Sequence, residues 1–203
     1  MATAFHVSAI GEFLHPWVNK PDTKFNAEGL FTVTLILEGK DAESLKAKID
    51  GAVLQAHNEH VDDMKPAIAK QWEQYKPYRP ELDDDGEPTG RTLFDFKQNA
   101  KIKLKDGTTK DIQIEIRDAA DKVIRKAVYS GSEGRVLFSM RSIVMTSSKQ
   151  VGVRLDFAKV QVTKLVQGGG GRGFGAVDGG YVADGEEQSF GEAPGGDDEG
   201  GDY

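Results

Sequence analysis

Apolar and polar residues alternate with a period of two along most of the first 167 residues, and one stretch of helical period interrupts them. This limits the chain to a sheet protein with a helical insertion. Phe5, Val7 and Ala9 alternate with His6, Ser8 and Ile10, giving a first strand. Phe31, Val33, Leu35 and Leu37 alternate with Thr32, Thr34 and Ile36, giving a second. Lys20-Pro21-Asp22 marks a loop between them, and Trp17 falls in that early loop. After Glu38-Gly39-Lys40 the period changes. Asp41 can cap a helix whose buried face is Leu45, Ile49, Ala52, Val53 and Ala56. Pro66 opens a second helix with Ile68, Trp72 and Tyr75 on one face, ended by Pro77 and Pro80. Residues 81–90 form an acidic loop.

From Phe94 the period of two returns. Phe94, Phe96, Gln98, Ala100, Ile102 and Leu104 share one face. Asp95, Lys97, Asn99, Lys101, Lys103 and Lys105 share the other. Asp106-Gly107 predicts a hairpin turn, and the return strand aligns Ile112, Ile114 and Ile116. Two more strands, Gly134 to Val144 and Val151 to Val166, flank a polar turn at Thr146-Ser147-Ser148-Lys149. The expectation is about six strands with a helical insertion after the second, forming one domain over residues 1–167.

Residues 168–203 keep no apolar periodicity and hold 14 of the 24 glycines. Such a segment cannot bury enough surface to offset ordering entropy, so it is expected to be disordered. Its charge corrects a first impression. The whole chain carries −7, which argues against a nucleic-acid partner. Residues 168–203 hold one basic and nine acidic residues, a net of −8. Residues 91–167 hold 16 basic and 8 acidic, a net of +8. A basic segment is followed by an acidic tail of equal and opposite charge.

Catalysis finds little support. Without cysteine there is no disulfide, zinc–thiolate site, iron–sulfur cluster or cysteine nucleophile. His57 and His60 lie three apart on a predicted helix, before Asp62 and Asp63, and a metal-dependent enzyme is one rival reading. The other is a solvated helix face. Asp83-Asp84-Asp85 lacks the remaining spacing of a calcium loop. There is no Gly-x-Ser-x-Gly, P-loop or His-Glu-x-x-His. No catalytic residue, metal site or cofactor is expected. No apolar run approaches the ~20 residues of a membrane span, and the opening Met1 to His6 lacks the pattern of a signal peptide. No membrane partner is expected either.

Single-strand binders need a basic groove for phosphates and aromatic faces for bases. Lys97, Lys101, Lys103 and Lys105 supply a line of charge, and Arg135, Arg141 and Arg154 add to it from the last two strands. Trp17 lies close to Lys20 and Lys24. Phe94 and Phe96 share a face with Ile102 and Leu104, which favours the core for them. Phe138 and Trp17 stand between packing and base stacking. The lysine stripe is either a binding face or a sheet edge defended by charge, with Asp111 and Glu115 opposite to pair with it. A further rival is an acidic-tailed interaction scaffold without DNA binding.

The order of parts resembles the single-stranded DNA-binding proteins of T-seven-like bacteriophages, over nearly the whole chain. The resemblance is carried by Ser8-Ala9-Ile10-Gly11, the loop Lys20-Pro21-Asp22, the strand Gly29 to Leu35 with the helix after Lys40-Asp41, Phe94-Asp95-Phe96-Lys97, the segment Gly131 to Ser139, and Gly180-Tyr181-Val182-Ala183 in the tail. It implies an OB-fold, a five-stranded Greek-key barrel with a helical insertion and extra strands. It implies sequence-independent binding of single-stranded DNA in replication, recombination and repair, in the cytoplasm of an infected bacterial host. Arg135 and Phe138 fall where the family carries basic and aromatic contacts. The acidic tail, with Asp197, Asp198, Glu199, Asp202 and Tyr203, is implied to compete with DNA and to contact the replication polymerase and helicase–primase. A homodimer is also within what the resemblance implies. The chain departs from the family in ending on Tyr203, where Phe is usual.

Overall fold

The computed structural model describes residues 4–24, 26–104 and 106–166. The tail over 168–203, including Asp197, Asp198, Glu199, Asp202 and Tyr203, lies outside them, as does Lys105. Strands β1 (Phe5–Val7), β2 (Gly11–Asp22) and β3 (Leu30–Glu38) come first. Helices α1 (Gly39–Val61) and α2 (Pro66–Ala69) follow, then β4 (Glu73–Tyr75), β5 (Tyr78–Leu82) and β6 (Pro88–Asn99). The chain continues through β7 (Lys101–Lys103), β8 (Thr109–Asp111) and β9 (Glu115–Arg117) to the long strands β10 (Glu133–Met145) and β11 (Gln150–Lys164).

Five of these strands close a barrel. β2, β3 and β6 form an antiparallel meander. β6 runs parallel to β11, β11 antiparallel to β10, and β10 antiparallel to β2. That cyclic order, with its one parallel neighbour pair, is the OB-fold. Closure brings Gly134 of β10 opposite Gly11 of β2. A Cβ on Gly134 would lie 2.1 Å from the Gln161 carbonyl oxygen and 2.8 Å from Phe13 Cζ. One on Gly11 would lie 2.3 Å from the Ile36 carbonyl oxygen. Only glycine lets the first and fourth barrel strands meet there.

Inside the ring, Phe13, Phe94, Phe96, Phe138 and Phe157 are fully buried. Phe96 and Phe138 meet edge to face with centroids 5.1 Å apart. The predicted helix α1 buries Ala42, Leu45, Ile49, Val53 and Ala56 against β3, β6, β10 and β11, capping one end of the barrel. Each large apolar side chain buried there stabilises by about 1.5–3 kcal/mol. No helix among the described residues is long and apolar enough to cross a membrane.

The local differences from expectation have physical reasons. Residues 20–22 are strand, not loop, and Trp17 lies within β2. A bulge between Leu14 and Trp17, with His15 at φ 47° followed by Pro16, breaks the period of two and hides the strand. α1 begins two residues before Asp41; Glu38 is its N-cap and Asp41 sits in the first turn, where its charge suits the helix dipole. The predicted second helix is only the four-residue α2. Trp72 lies three residues beyond it, and Tyr75 instead pairs in β4 alongside β11. Pro80 lies in β5 on the sheet edge, so residues 81–90 are mainly the closing hairpin of β5 and β6. β6 ends at Asn99, and Ile102 and Leu104 leave the barrel on the separate β7–β8 hairpin, where both are exposed. The first strand is turned inside out: Phe5 is 59% and Val7 53% exposed, while Ser8 is buried.

Gly134→Ala is expected to destabilise the domain by about 1–3 kcal/mol or more through overpacking against backbone. Urea denaturation checks this, against Gly51→Ala, whose added Cβ meets nothing within 4 Å.

Candidate nucleic-acid interface

Strand register puts outward-facing residues into rows that cross the barrel wall. Trp17 of β2 lies opposite Thr32 of β3, and Thr32 opposite Lys97 of β6. Lys97 lies opposite Asp156 of β11, Asp156 opposite Ser139 of β10, and Ser139 opposite Phe5 of β1. Directly paired residues share a face of the sheet. The row therefore has an exposed aromatic at each end, Trp17 at 48% and Phe5 at 59%. Two residues along, on the same face, Arg141 pairs with Arg154 across β10 and β11.

The charges at the centre of the row are organised. Arg141 Nε donates to Asp156 Oδ2 at 2.7 Å, and Arg154 Nε donates to the other oxygen of the same carboxylate. Arg154 Nη1 also donates to Asn99 Oδ1 at 3.0 Å. Lys97 makes no ion pair among the described residues. Further along the wall, Arg135 Nε donates to Gln161 Oε1 at 2.7 Å, and Gln161 lies opposite Arg117 of β9. Lys159 bridges Glu115 at 2.9 Å, and Arg117 bridges Glu115 and Asp121. The Arg117 guanidinium, then the Lys159 ammonium, hold the Glu115 carboxyl below its ordinary pKa. Val7, Leu137, Arg117, Arg135 and Lys159 line a groove of about 240 Å³ here.

Of the sequence-predicted residues, Trp17, Lys97, Arg141 and Arg154 come together on this wall, and Arg135 extends it. Lys20 and Lys101 line a different groove, of about 910 Å³, at the barrel mouth, with Arg125 and an apolar floor that includes Phe31, Ile114 and Ile116. Lys103 projects on the β7–β8 hairpin, and Lys24 follows β2 with its backbone N–H bonded to Asp22. Lys101 lies in register with Asp111, but the pairing expected of Glu115 goes to Arg117 and Lys159 instead. Phe138 is the clearest correction. It is fully buried between Phe96 and His6, so its ring offers no face to a base.

Sequence reasoning missed Phe5, because an alternating apolar face looks like a core face when the strand lies outside the ring. It missed Asp156 because only cross-strand register brings that residue between two arginines. Arg117 and Lys159 at least lie in the basic segment. The histidine pair is occupied by packing: His57 Nε2 lies 3.1 Å from the Trp72 carbonyl oxygen, and the His60 ring meets Trp72 edge-on at 4.3 Å. Among the described residues no group of three or more histidine or acidic side chains could hold a metal.

A family model described as single-stranded DNA-binding protein, bacteriophage T7, matches residues 13–165. The crystal structure of gp2.5, a single-stranded DNA-binding protein encoded by bacteriophage T7, superposes with a TM-score of 0.71 at 23% identity, covering 90% of this chain and 100% of that one. The single-stranded DNA-binding protein of bacteriophage Enc34 in complex with single-stranded DNA superposes with a TM-score of 0.55 at 11% identity, covering 80% of this chain and 88% of that one. These two likenesses carry the fold. No curated protein sequence matches the chain.

Phe138→Ala is expected to cost about 3–5 kcal/mol of stability as a core truncation. Phe5→Ala is expected to shift it by less than about 0.5 kcal/mol. Chemical denaturation of the two variants checks both values.

Proposed function

The chain belongs to the family of the bacteriophage T7 single-stranded DNA-binding protein, and from that premise we propose that it binds single-stranded DNA along the outer wall, without sequence preference. The single observation that carries this reading is the row from Trp17 to Phe5 with Lys97 and the Arg141–Arg154 pair between its ends. Five strand spacings separate the two aromatics, about 24 Å along the curved wall. That is room for several nucleotides, in keeping with the ~4–16 covered by an OB-fold.

The chemistry divides by residue. Guanidinium and ammonium groups neutralise phosphates and release counterions, so log affinity falls with log salt at about −0.7 per phosphate contact. Indole and phenyl faces take unpaired bases by stacking, which every base allows. A duplex buries its base faces, so the two exposed rings favour a single strand.

The acidic segment 168–203 acts as a tethered competitor for the same cations. Attachment to the same chain puts its local concentration at the wall on the order of millimolar. Once DNA displaces it, Asp197, Asp198, Glu199, Asp202 and Tyr203 are free to recruit the replication polymerase and helicase–primase. The setting is replication, recombination and repair of phage DNA in the cytoplasm of the infected host. The family resemblance and the opposite charges of the two segments support this part of the reading.

Fluorescence anisotropy with oligo-dT tests it. Trp17→Ala and Phe5→Ala are each expected to weaken binding by about 1–3 kcal/mol. Wild-type affinity in both variants would remove the aromatic ends of the path. Residues 1–167 alone are expected to bind more tightly than the full chain, most clearly at low salt. Equal affinity of the two would end the competition model.

A further inference from the structure

We propose that Asp156 is a positioning residue: a carboxylate on the DNA-binding wall that strengthens binding by aiming two guanidiniums. The proposal rests on the single-stranded DNA reading above and deepens it. A negative charge in the middle of a phosphate-binding surface would ordinarily be a liability. Here its geometry makes it a clamp. One oxygen accepts from Arg141 Nε at 2.7 Å and the other from Arg154 Nε. Each guanidinium is held by its Nε edge. Both Nη groups of Arg141 make no hydrogen bond among the described residues, and Arg154 commits only Nη1, to Asn99. The planar forks thus stay fixed while most of their donors remain available to an anion.

Depth separates the two signs of charge. The Asp156 side chain is 17% exposed, Arg154 19% and Arg141 52%. A phosphate reaching the wall meets Arg141 before it meets the carboxylate. Asp156 itself sits in register between Lys97 and Ser139, at the middle of the row that joins Trp17 to Phe5. An arginine already held in one orientation loses less side-chain freedom when a phosphate docks. Two such arginines on adjacent strands present their donors at a fixed spacing, which a pair of freely moving side chains does not.

Charge and geometry make opposite forecasts for one substitution. Asp156→Asn keeps the shape, removes the charge and replaces one acceptor oxygen by an NH2 donor, which faces one of the two arginines. The measurement is anisotropy of labelled oligo-dT with the full chain over a salt series, beside arginine Nε–H exchange by NMR. If Asp156 positions the arginines, the variant binds roughly threefold to tenfold more weakly at moderate salt. Its salt slope flattens by about 0.7, one phosphate contact, and the Nε–H of one or both arginines exchanges faster. If the carboxylate is only a charge, the variant binds more tightly with a steeper slope, and the proposal is overturned. Unchanged affinity overturns it equally.

Arg141→Lys serves as the second variant should Asp156→Asn fail to fold. It preserves the net charge of the wall and the Asp156–Arg154 contact, but lysine has no fork to aim. The same weakening is expected, and wild-type affinity would overturn the proposal. Failure of the wild-type chain to bind oligo-dT at low salt would instead sink the DNA-binding reading itself. Tighter binding by the Asn variant sinks only the role of Asp156.

Discussion

The outer wall exists because the barrel closes, and the barrel closes where Gly11 of β2 meets Gly134 of β10. An added Cβ at either position would press on backbone oxygen and on the Phe13 ring or its leucine neighbours. Closure removes the open edges of the main strands, which a sheet must otherwise protect. It also fixes which side chains fill the interior. Five phenylalanines point inward, and their neighbours along each strand must point outward. Alternation leaves the cations of β6, β10 and β11 on the outside, and the register of β6 with β11 and of β11 with β10 brings them side by side.

Closure also explains why exposed aromatics lie at the two ends of the row. β1 adds to β10 outside the ring, so Phe5 and Val7 have no interior to enter. On β2, the bulge at His15 and Pro16 resets the pleat, and Trp17 emerges on the outer face while Val18 returns to the core. Between them the Asp156 clamp holds Arg141 and Arg154. The proposed stacking surfaces and phosphate donors thus sit on strands, where their spacing is set by the ladder and not by a loop.

Much of this was legible in the sequence, and the failures share a cause. Period two in residues 31–37 and 94–100, the helix face from Leu45 to Ala56, and the charge split at residue 167 are local signals, readable without the fold. Lys97, Arg141, Arg154 and Trp17 could be named as a charge line and a lone indole. The inner face was readable for Phe94, Phe96 and the helix, but not for Phe138 and Phe5. Phe138 and Phe5 both lie on alternating apolar faces, yet one is buried between Phe96 and His6 and the other is open, because only β10 belongs to the ring. The bulge at His15 hid β2, and Asp156 gains its meaning from residues 15 and 57 positions away in sequence, Arg141 and Asn99, brought near by strand pairing.

The claim at the centre is that single-stranded DNA lies on the wall from Trp17 to Phe5, and photo-crosslinking tests it most directly. Oligo-dT carrying iododeoxyuridine would be irradiated on the full-length chain and the attached peptides identified by mass spectrometry. Attachment to the peptides holding Trp17 and Phe5 is the expected result. Attachment confined to the β7–β8 hairpin, or to the mouth groove lined by Lys20 and Arg125, would contradict it.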